Sequence, residues 1–325
     1  MSETVAFKSP IGYRIEGFIA EKQSLGFKYI GEKETMKRFD RYWLEHGYGD
    51  TGLTEDNLAG WISKKDDEGG SGLRDRVSVI RQFSLYLNGL GIPSYFPGFT
   101  VRYKPRARQP FSSGEISEFF DLIDTPVICC DNWVQRKRFY DEYPMLFRIL
   151  YLNGMRISEA CGLEISQVDF TDATITVYDG KGHKDRLIYM ADDVALLLKD
   201  YVHHMKKVYK LDSRFVFPGK DPEKHIMPLS VNRKFNEVWA KTSFAGSREK
   251  PSVHDFRHTY VVNRINLWME QGLDFDHMLP YLCKYLGHRN FNETYYYYHY
   301  AEEAAKAIRE KDRVIEKVIP EVMRR

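Results

Sequence analysis

Apolar positions in the first third of the chain recur every three or four residues, the period of a helix with one buried face. Ile15, Phe18 and Ile19, then Leu25, give a first such face, which Gly26 ends. Met36, Phe39, Trp43 and Leu44 give a second. Thr54 stands ahead of Leu58, Trp61 and Ile62 as the cap of a third helix. A charged, glycine-rich loop from Lys65 to Gly72 follows. Val77, Ile80, Phe83, Tyr86 and Leu87 then mark a long fourth helix. Four helices with no strand signal predict a small helical bundle. Arg74, Arg76 and Arg81 cluster at the start of the fourth helix, on positions expected to be exposed.

The pattern then changes. Arg102, Lys104, Arg106 and Arg108 alternate around Pro105 and ahead of Pro110 with no acid among them, which predicts an extended basic linker. Such a linker suits either plain solvent or a phosphate backbone. Ser112 or Ser113, with Glu115 and Glu118, opens the next helix. Pro144 is expected to open another, from Met145 to Leu152, closed by Asn153 and Gly154. Thr174 to Val177 and Arg186 to Met190 read as the strands of a hairpin, with Lys181-Gly182-His183-Lys184 at its tip. Helices are predicted near 192–208 and 230–242, with Phe215 to Phe217 as a short strand between them, and again over 254–270 and 277–286. The run Tyr295 to Tyr298 falls on one more helix, and the tail spaces Ile308, Ile315, Val318 and Val322 at helical intervals. The expected fold is therefore mainly α with a small antiparallel β-hairpin. Its expected divisions are a helical domain over 1–104, a basic linker over 105–111, a mixed domain over 112–300 and a helical tail over 301–325.

Composition narrows the classes. The 325 residues leave room for two domains, and 29% of them are charged. No apolar run approaches the roughly 20 residues that span a bilayer, and Met1 to Pro10 has no apolar core of the signal-peptide kind. The reading is a cytoplasmic protein without a membrane partner. Cys129, Cys130, Cys161 and Cys283 match neither a metal knuckle nor a disulfide framework, so buried thiols are expected. His183, His203, His204, His225 and His299 show no ligand spacing, and no metal or cofactor is expected. A net charge of +2 announces no polyanion partner; the local basic clusters carry that signal instead.

One ordered set fits a demanding chemistry. Breaking a phosphodiester without a metal gathers negative charge on the non-bridging oxygens, so fixed cations must surround it. Arginine's planar fork suits this best. A general acid must protonate the leaving oxygen, and a nucleophile must sit in line. The chain offers Arg156 at a helix start, Lys181 at the hairpin, His254 and Arg257 one turn apart, His288 at a helix end and Tyr297. Lys184 competes with Lys181, and Tyr296 with Tyr297. Phe291, Tyr295 and Tyr298 share one helix face and are the expected core stripe, leaving Tyr297 off it. His258 is expected to pack or to bond locally.

These residues, in this order, resemble the tyrosine recombinase (phage integrase) family. Gly154-Met155-Arg156-Ile157-Ser158-Glu159 is similar to its first arginine motif, and Gly180-Lys181-Gly182-His183-Lys184-Asp185-Arg186 to its β-hairpin lysine motif. His254-Asp255-Phe256-Arg257-His258-Thr259 resembles its H-x-x-R box, and Leu286-Gly287-His288 with Tyr297 its last box. The resemblance implies a SAM-like core-binding domain that clamps DNA, then a mixed α/β catalytic domain. It implies that Tyr297 attacks the scissile phosphate, giving a 3′-phosphotyrosine and a free 5′-hydroxyl. Arg156 and Arg257 would hold the non-bridging oxygens, Lys181 would protonate the leaving oxygen, and His254 would assist proton transfer. His288 would hydrogen-bond the phosphate, and Glu159 would brace the site from behind. Arg74, Arg76, Arg81 and the linker cations Arg102, Lys104, Arg106 and Arg108 are the candidate DNA contacts. The implied partners are double-stranded DNA with a specific recombination site, a homotetramer on two duplexes that is monomeric or weakly associated without DNA, and accessory proteins. The tail resembles that of integrases of mobile elements. Other readings are a catalytically silent DNA-binding accessory protein and a topoisomerase-like relaxing enzyme. A metal-dependent nuclease would need a carboxylate cluster that the chain lacks.

Overall fold

The computed structural model describes residues 7–66, 68–98, 109–125, 134–178, 185–249, 251–288, 290–298 and 300–301. The hairpin tip with Lys181 and Lys184, the linker residues Arg102, Lys104, Arg106 and Arg108, Cys129 and Cys130, and the tail beyond Ala301 lie outside the described residues. The chain separates into two compact units, Met1–Arg106 and Ala107–Arg325. Among the described residues no helix is long and apolar enough to cross a membrane.

The first unit holds α1 (Gly12–Ser24), α2 (Ile30–Glu45), α3 (Glu55–Ile62) and α4 (Gly70–Gly89). Its core is aromatic. Phe18 meets Phe83 at 5.3 Å between ring centres, and Phe39 meets Trp61 at 5.1 Å. Thr54 caps α3 in a capping box with Asn57, so two of the orphan amides of that helix end are satisfied. Leu25 and Leu44, expected on apolar faces, are 64% and 48% exposed. The fourth helix begins at Gly70, inside the stretch expected to be loop.

Arg76 departs from expectation. It is 4% exposed, because it shares a face of α4 with Leu73, Val77 and Ile80, at helical spacings of three and four. Its guanidinium is taken up by the Glu68 carboxylate and by the Ser63 carbonyl at 3.0 Å, over the ring of Trp61. Arg76 is therefore part of the bundle's structure, and the reading of it as an exposed cation is corrected. Arg74 is exposed. Arg81 is half-buried, donates to the Pro97 carbonyl and lies 3.9 Å over the ring of Phe96.

The second unit runs α5 (Ser113–Asp124), α6 (Val134–Asn153), α7 (Ile157–Cys161), β1 (Val168–Asp169), β2 (Thr174–Val177), β3 (Arg186–Tyr189), α8 (Asp192–Tyr209), α9 (Pro228–Trp239), α10 (His254–Glu270), α11 (Phe275–Leu286) and α12 (Asn292–Tyr298). Ser112 caps α5 in a capping box with Glu115. Pro144 lies inside α6 instead of opening it. Proline is permitted at a first turn but does not require one, and here one missing backbone bond is tolerated within a packed helix. The sheet is antiparallel in the order β1-β2-β3, with Ile175 opposite both Val168 and Ile188. The two-residue β1 is too short for alternation to reveal. Phe215 to Phe217 forms no strand but one isolated bridge, Glu164 with Phe215, and a second, Pro218 with His225, follows directly after it.

Two apolar clusters fill this unit, and α10 serves both. Phe256 points into the first, meeting Phe119 at 5.2 Å, Phe147 at 5.8 Å and Phe235 at 5.8 Å. Val261, Val262 and Ile265 enter the second, with Leu279, Leu282, Leu286 and Tyr297 of α11 and α12. A helix buried on two sides is fixed in rotation and translation. Polar groups in its first turn are thereby held at defined places.

Candidate active site

The site grows from a helix end. The last carbonyls of any α-helix have no partner within it and carry its negative pole. At the end of α11, three successive carbonyls are each taken by a different arginine. Tyr285 O accepts from Arg186 Nε at 2.9 Å, Leu286 O from Arg257 Nη2 at 2.6 Å, and Gly287 O from Arg156 Nη2 at 2.9 Å. Gly287 makes this possible by ending α11 in the left-handed conformation, φ +63°.

A second glycine completes the frame. Gly154, after α6, also has a left-handed φ of +60°. A Cβ there would lie 2.4 Å from the ring of Tyr260. Its carbonyl accepts from Arg257 Nη1 at 2.7 Å, so both ends of the Arg257 fork are fixed.

Glu159 is the carboxylate among these cations. It accepts from Arg186 Nη1 at 3.0 Å and Nη2 at 2.6 Å, from Arg156 Nη1 at 2.8 Å and from the Arg156 amide at 2.9 Å. Burial pushes its carboxyl up, but the hydrogen bonds and charges of Arg186 and Arg156 outweigh that and hold it below the ordinary value. Arg257 is 2% exposed. Burial, and then the neighbouring Arg156, lowers its pKa to about 10, so it stays cationic at neutral pH. Three guanidiniums around one carboxylate leave a surplus of positive charge, suited to an anion.

His288 follows directly. Its Nε2 lies 3.1 Å from Arg257 Nη2 and its Nδ1 2.7 Å from Thr294 Oγ1. The ring of Tyr297 lies 6.2 Å from that of His288, within 5° of parallel, and 4.9 Å from that of His258. His258 in turn lies 4.9 Å from His254, one turn earlier on α10. Arg156, Glu159, Arg257, His288 and Tyr297 thus come together, with His254 joined to them through His258. Lys181 lies outside the described residues.

The tyrosine run packs differently from expectation. Phe291 is 55% and Tyr295 40% exposed, whereas Tyr297 is 4% exposed. Thr294 and Tyr297, three apart, are the residues of α12 that face inward. Tyr298 still packs, against Phe275 at 4.6 Å, while Tyr296 is 40% exposed with its hydroxyl 3.1 Å from that of Tyr300. The expected core stripe is corrected: the buried face of α12 and the face toward Arg257 are the same. Four consecutive tyrosines carry no hydrophobic phase, so periodicity could not choose among them.

Two residues of the site escaped sequence reasoning as individuals, Arg186 and Thr294. Arg186 did leave a signal. It is in phase with the inward-facing Ile188 on β3, and a charge at a buried strand position calls for a partner.

This mostly helical unit with a small antiparallel sheet has the fold of a tyrosine recombinase. The Tn1549 transposon integrase, solved in complex with transposon right-end DNA, superimposes with a TM-score of 0.61 at 17% identity, covering 90% of this chain and 97% of that one. The XerH site-specific recombinase, solved on difH DNA before cleavage, gives 0.58 at 20% identity over 84% of this chain and 77% of that one. The tyrosine recombinase XerC of Chlamydia caviae is 28% identical over 239 residues, 74% of this chain and 70% of XerC. Residues 130–304 match the Phage integrase family, and the chain belongs to that family. It is accordingly a DNA strand-transferase of the site-specific recombinase type.

Proposed function

We propose that this chain serves a mobile element by cutting and rejoining DNA at a specific site, with Tyr297 as the nucleophile. The Tyr297 phenolic oxygen attacks the scissile phosphorus. The bond from phosphorus to the 5′-oxygen breaks, and the strand is held as a 3′-phosphotyrosine. Lys181 supplies the proton for the leaving 5′-oxygen, and His254 assists transfer of the phenol proton. Arg156 and Arg257 bind the non-bridging oxygens, and His288 adds a hydrogen bond to them. The 5′-hydroxyl of another strand then attacks the phosphotyrosine and releases Tyr297. One phosphodiester is exchanged for another, so the cycle needs neither ATP nor a metal.

The observation that carries this reading is the set of three arginines on the end of α11, with Arg257 beside Tyr297. Cations already bonded to fixed carbonyls need no reorganisation as charge develops, and a single such donor is worth about 10²- to 10³-fold in rate. Arg74 and Arg81 of the helical unit and Arg102, Lys104, Arg106 and Arg108 of the linker are our candidates for DNA backbone contacts. We further assign a homotetramer on two duplexes, with the tail beyond Ala301 reaching a neighbouring subunit and accessory proteins assisting, in the cytoplasm.

The test is a duplex nicked next to the cleavage site, which traps the covalent adduct. Tyr297→Phe is expected to abolish the detergent-resistant adduct while leaving DNA affinity nearly intact. Adduct at the wild-type level in that variant would overturn the assignment.

A further inference from the structure

We infer that Tyr285 is a positioning residue of this site, whose hydroxyl sets the spacing of the two carbonyls that hold the Arg257 fork. The inference rests on the reading above that Arg257 serves the scissile phosphate. Arg257 spans two helix ends. Its Nη1 donates to Gly154 O at 2.7 Å, just past α6, and its Nη2 to Leu286 O at 2.6 Å, on the last residue of α11. A guanidinium is a rigid planar fork, so both bonds are good at only one separation of those carbonyls. Tyr285 crosses the same gap one residue earlier on each side. Its main chain precedes Leu286 on α11, and its hydroxyl donates to Asn153 O at 3.1 Å, the carbonyl before Gly154.

The crossing is held along its whole length. The Tyr285 carbonyl accepts from Arg186 Nε at 2.9 Å. Its ring stacks on that of Tyr260 at 5.7 Å, within 17° of parallel. Tyr260 in turn closes the space over Gly154, where a Cβ would lie 2.4 Å from its ring. The Tyr260 hydroxyl also interacts with that of Tyr285. The Asn153 carbonyl can only accept, so the Tyr285 proton goes there and Tyr260 supplies the proton of the other contact. Asn153 is 1% exposed, so water does not readily replace the phenol. Without that hydroxyl the end of α6 loses a donor, and the Gly154 carbonyl can shift under Arg257.

The experiment uses the full chain with ¹⁵N-labelled arginine, Arg257 being assigned by loss of its signals in Arg257→Lys. The wild type is expected to show two separate Nη signals for Arg257, because carbonyls on both amino groups stop the fork from rotating. Tyr285→Phe removes one oxygen and keeps the ring. It is expected to average those two signals and to slow single-turnover adduct formation about tenfold at saturating protein, with DNA affinity unchanged. Withdrawing a fixed donor altogether costs about 10²- to 10³-fold, and loosening one costs less. A purely structural role would lower the melting temperature of Tyr285→Phe but leave the rate constant and the Arg257 signals at their wild-type values, and that result overturns the inference. Averaged Nη signals for Arg257 in the wild type overturn it as well, so a poorly folded phenylalanine variant does not shield it. Wild-type adduct formation by Arg257→Lys instead overturns the role given to Arg257, whatever the spectrum of Tyr285→Phe shows.

Discussion

Replacing Arg186 by methionine tests whether the arginine frame holds the catalytic unit together. Arg186 joins β3 to α7 through Glu159 and to α11 through the Tyr285 carbonyl. Its side chain is 4% exposed and that of Glu159 10%, so solvent screens the pair little. Methionine fills most of the volume but removes three hydrogen bonds at once. Glu159 keeps Arg156, yet two of its bonds are lost, and a helix-end carbonyl loses its donor. Breaking one side of a buried ion pair costs about 3–5 kcal/mol, and the stranded carbonyl falls within the same loss. Against a typical stability of about 5–15 kcal/mol for a whole domain, the effect is large. Arg186→Lys should be intermediate, since a point charge cannot span two oxygens and a carbonyl together. Urea unfolding, followed through the transition of the Ala107–Arg325 unit, gives the difference from the midpoint shift at constant slope. A shift worth less than about 1 kcal/mol would refute the argument that this pair ties the three elements together.

Gly154→Ala should lower the melting temperature and cut adduct formation together. A left-handed φ costs alanine about 1–2 kcal/mol, the Tyr260 ring must move, and the carbonyl that fixes Arg257 moves with the backbone. Glu159 predicts a pH dependence. Its folded pKa lies below the ordinary value of 4.5, so its contribution is present above that value and is lost as pH falls through the folded pKa. Urea midpoints taken from pH 6 downward should fall less steeply in Glu159→Gln, a variant already weakened at pH 6. Arg76→Ala should destabilise the helical unit by about 3 kcal/mol, since it strands Glu68. A thermal melt showing an unchanged helical unit, with only weaker DNA binding, would return Arg76 to the surface.

Much of this protein is written locally. The spacing of Phe18, Phe39, Trp43 and Phe83 determines the aromatic bundle, because helical period and burial are properties of neighbouring residues. Thr54 and Ser112 mark helix starts for the same reason. Arg156, His254, Arg257, His288 and Tyr297 were legible as an ordered set, because phosphodiester chemistry without a metal asks for those side chains. Tertiary structure decided what depends on distant partners. It buried Arg76 against Glu68, although arginines at a helix start are usually solvated. It chose the inward face of α12, which a run of identical residues cannot encode. It also brought Arg156, Arg186 and Arg257, from three separate segments, onto three consecutive carbonyls at the end of α11, Tyr285 to its cap Gly287. Each of those arginines meets a group about 30 to 130 residues away in the chain, and no local pattern carries that information.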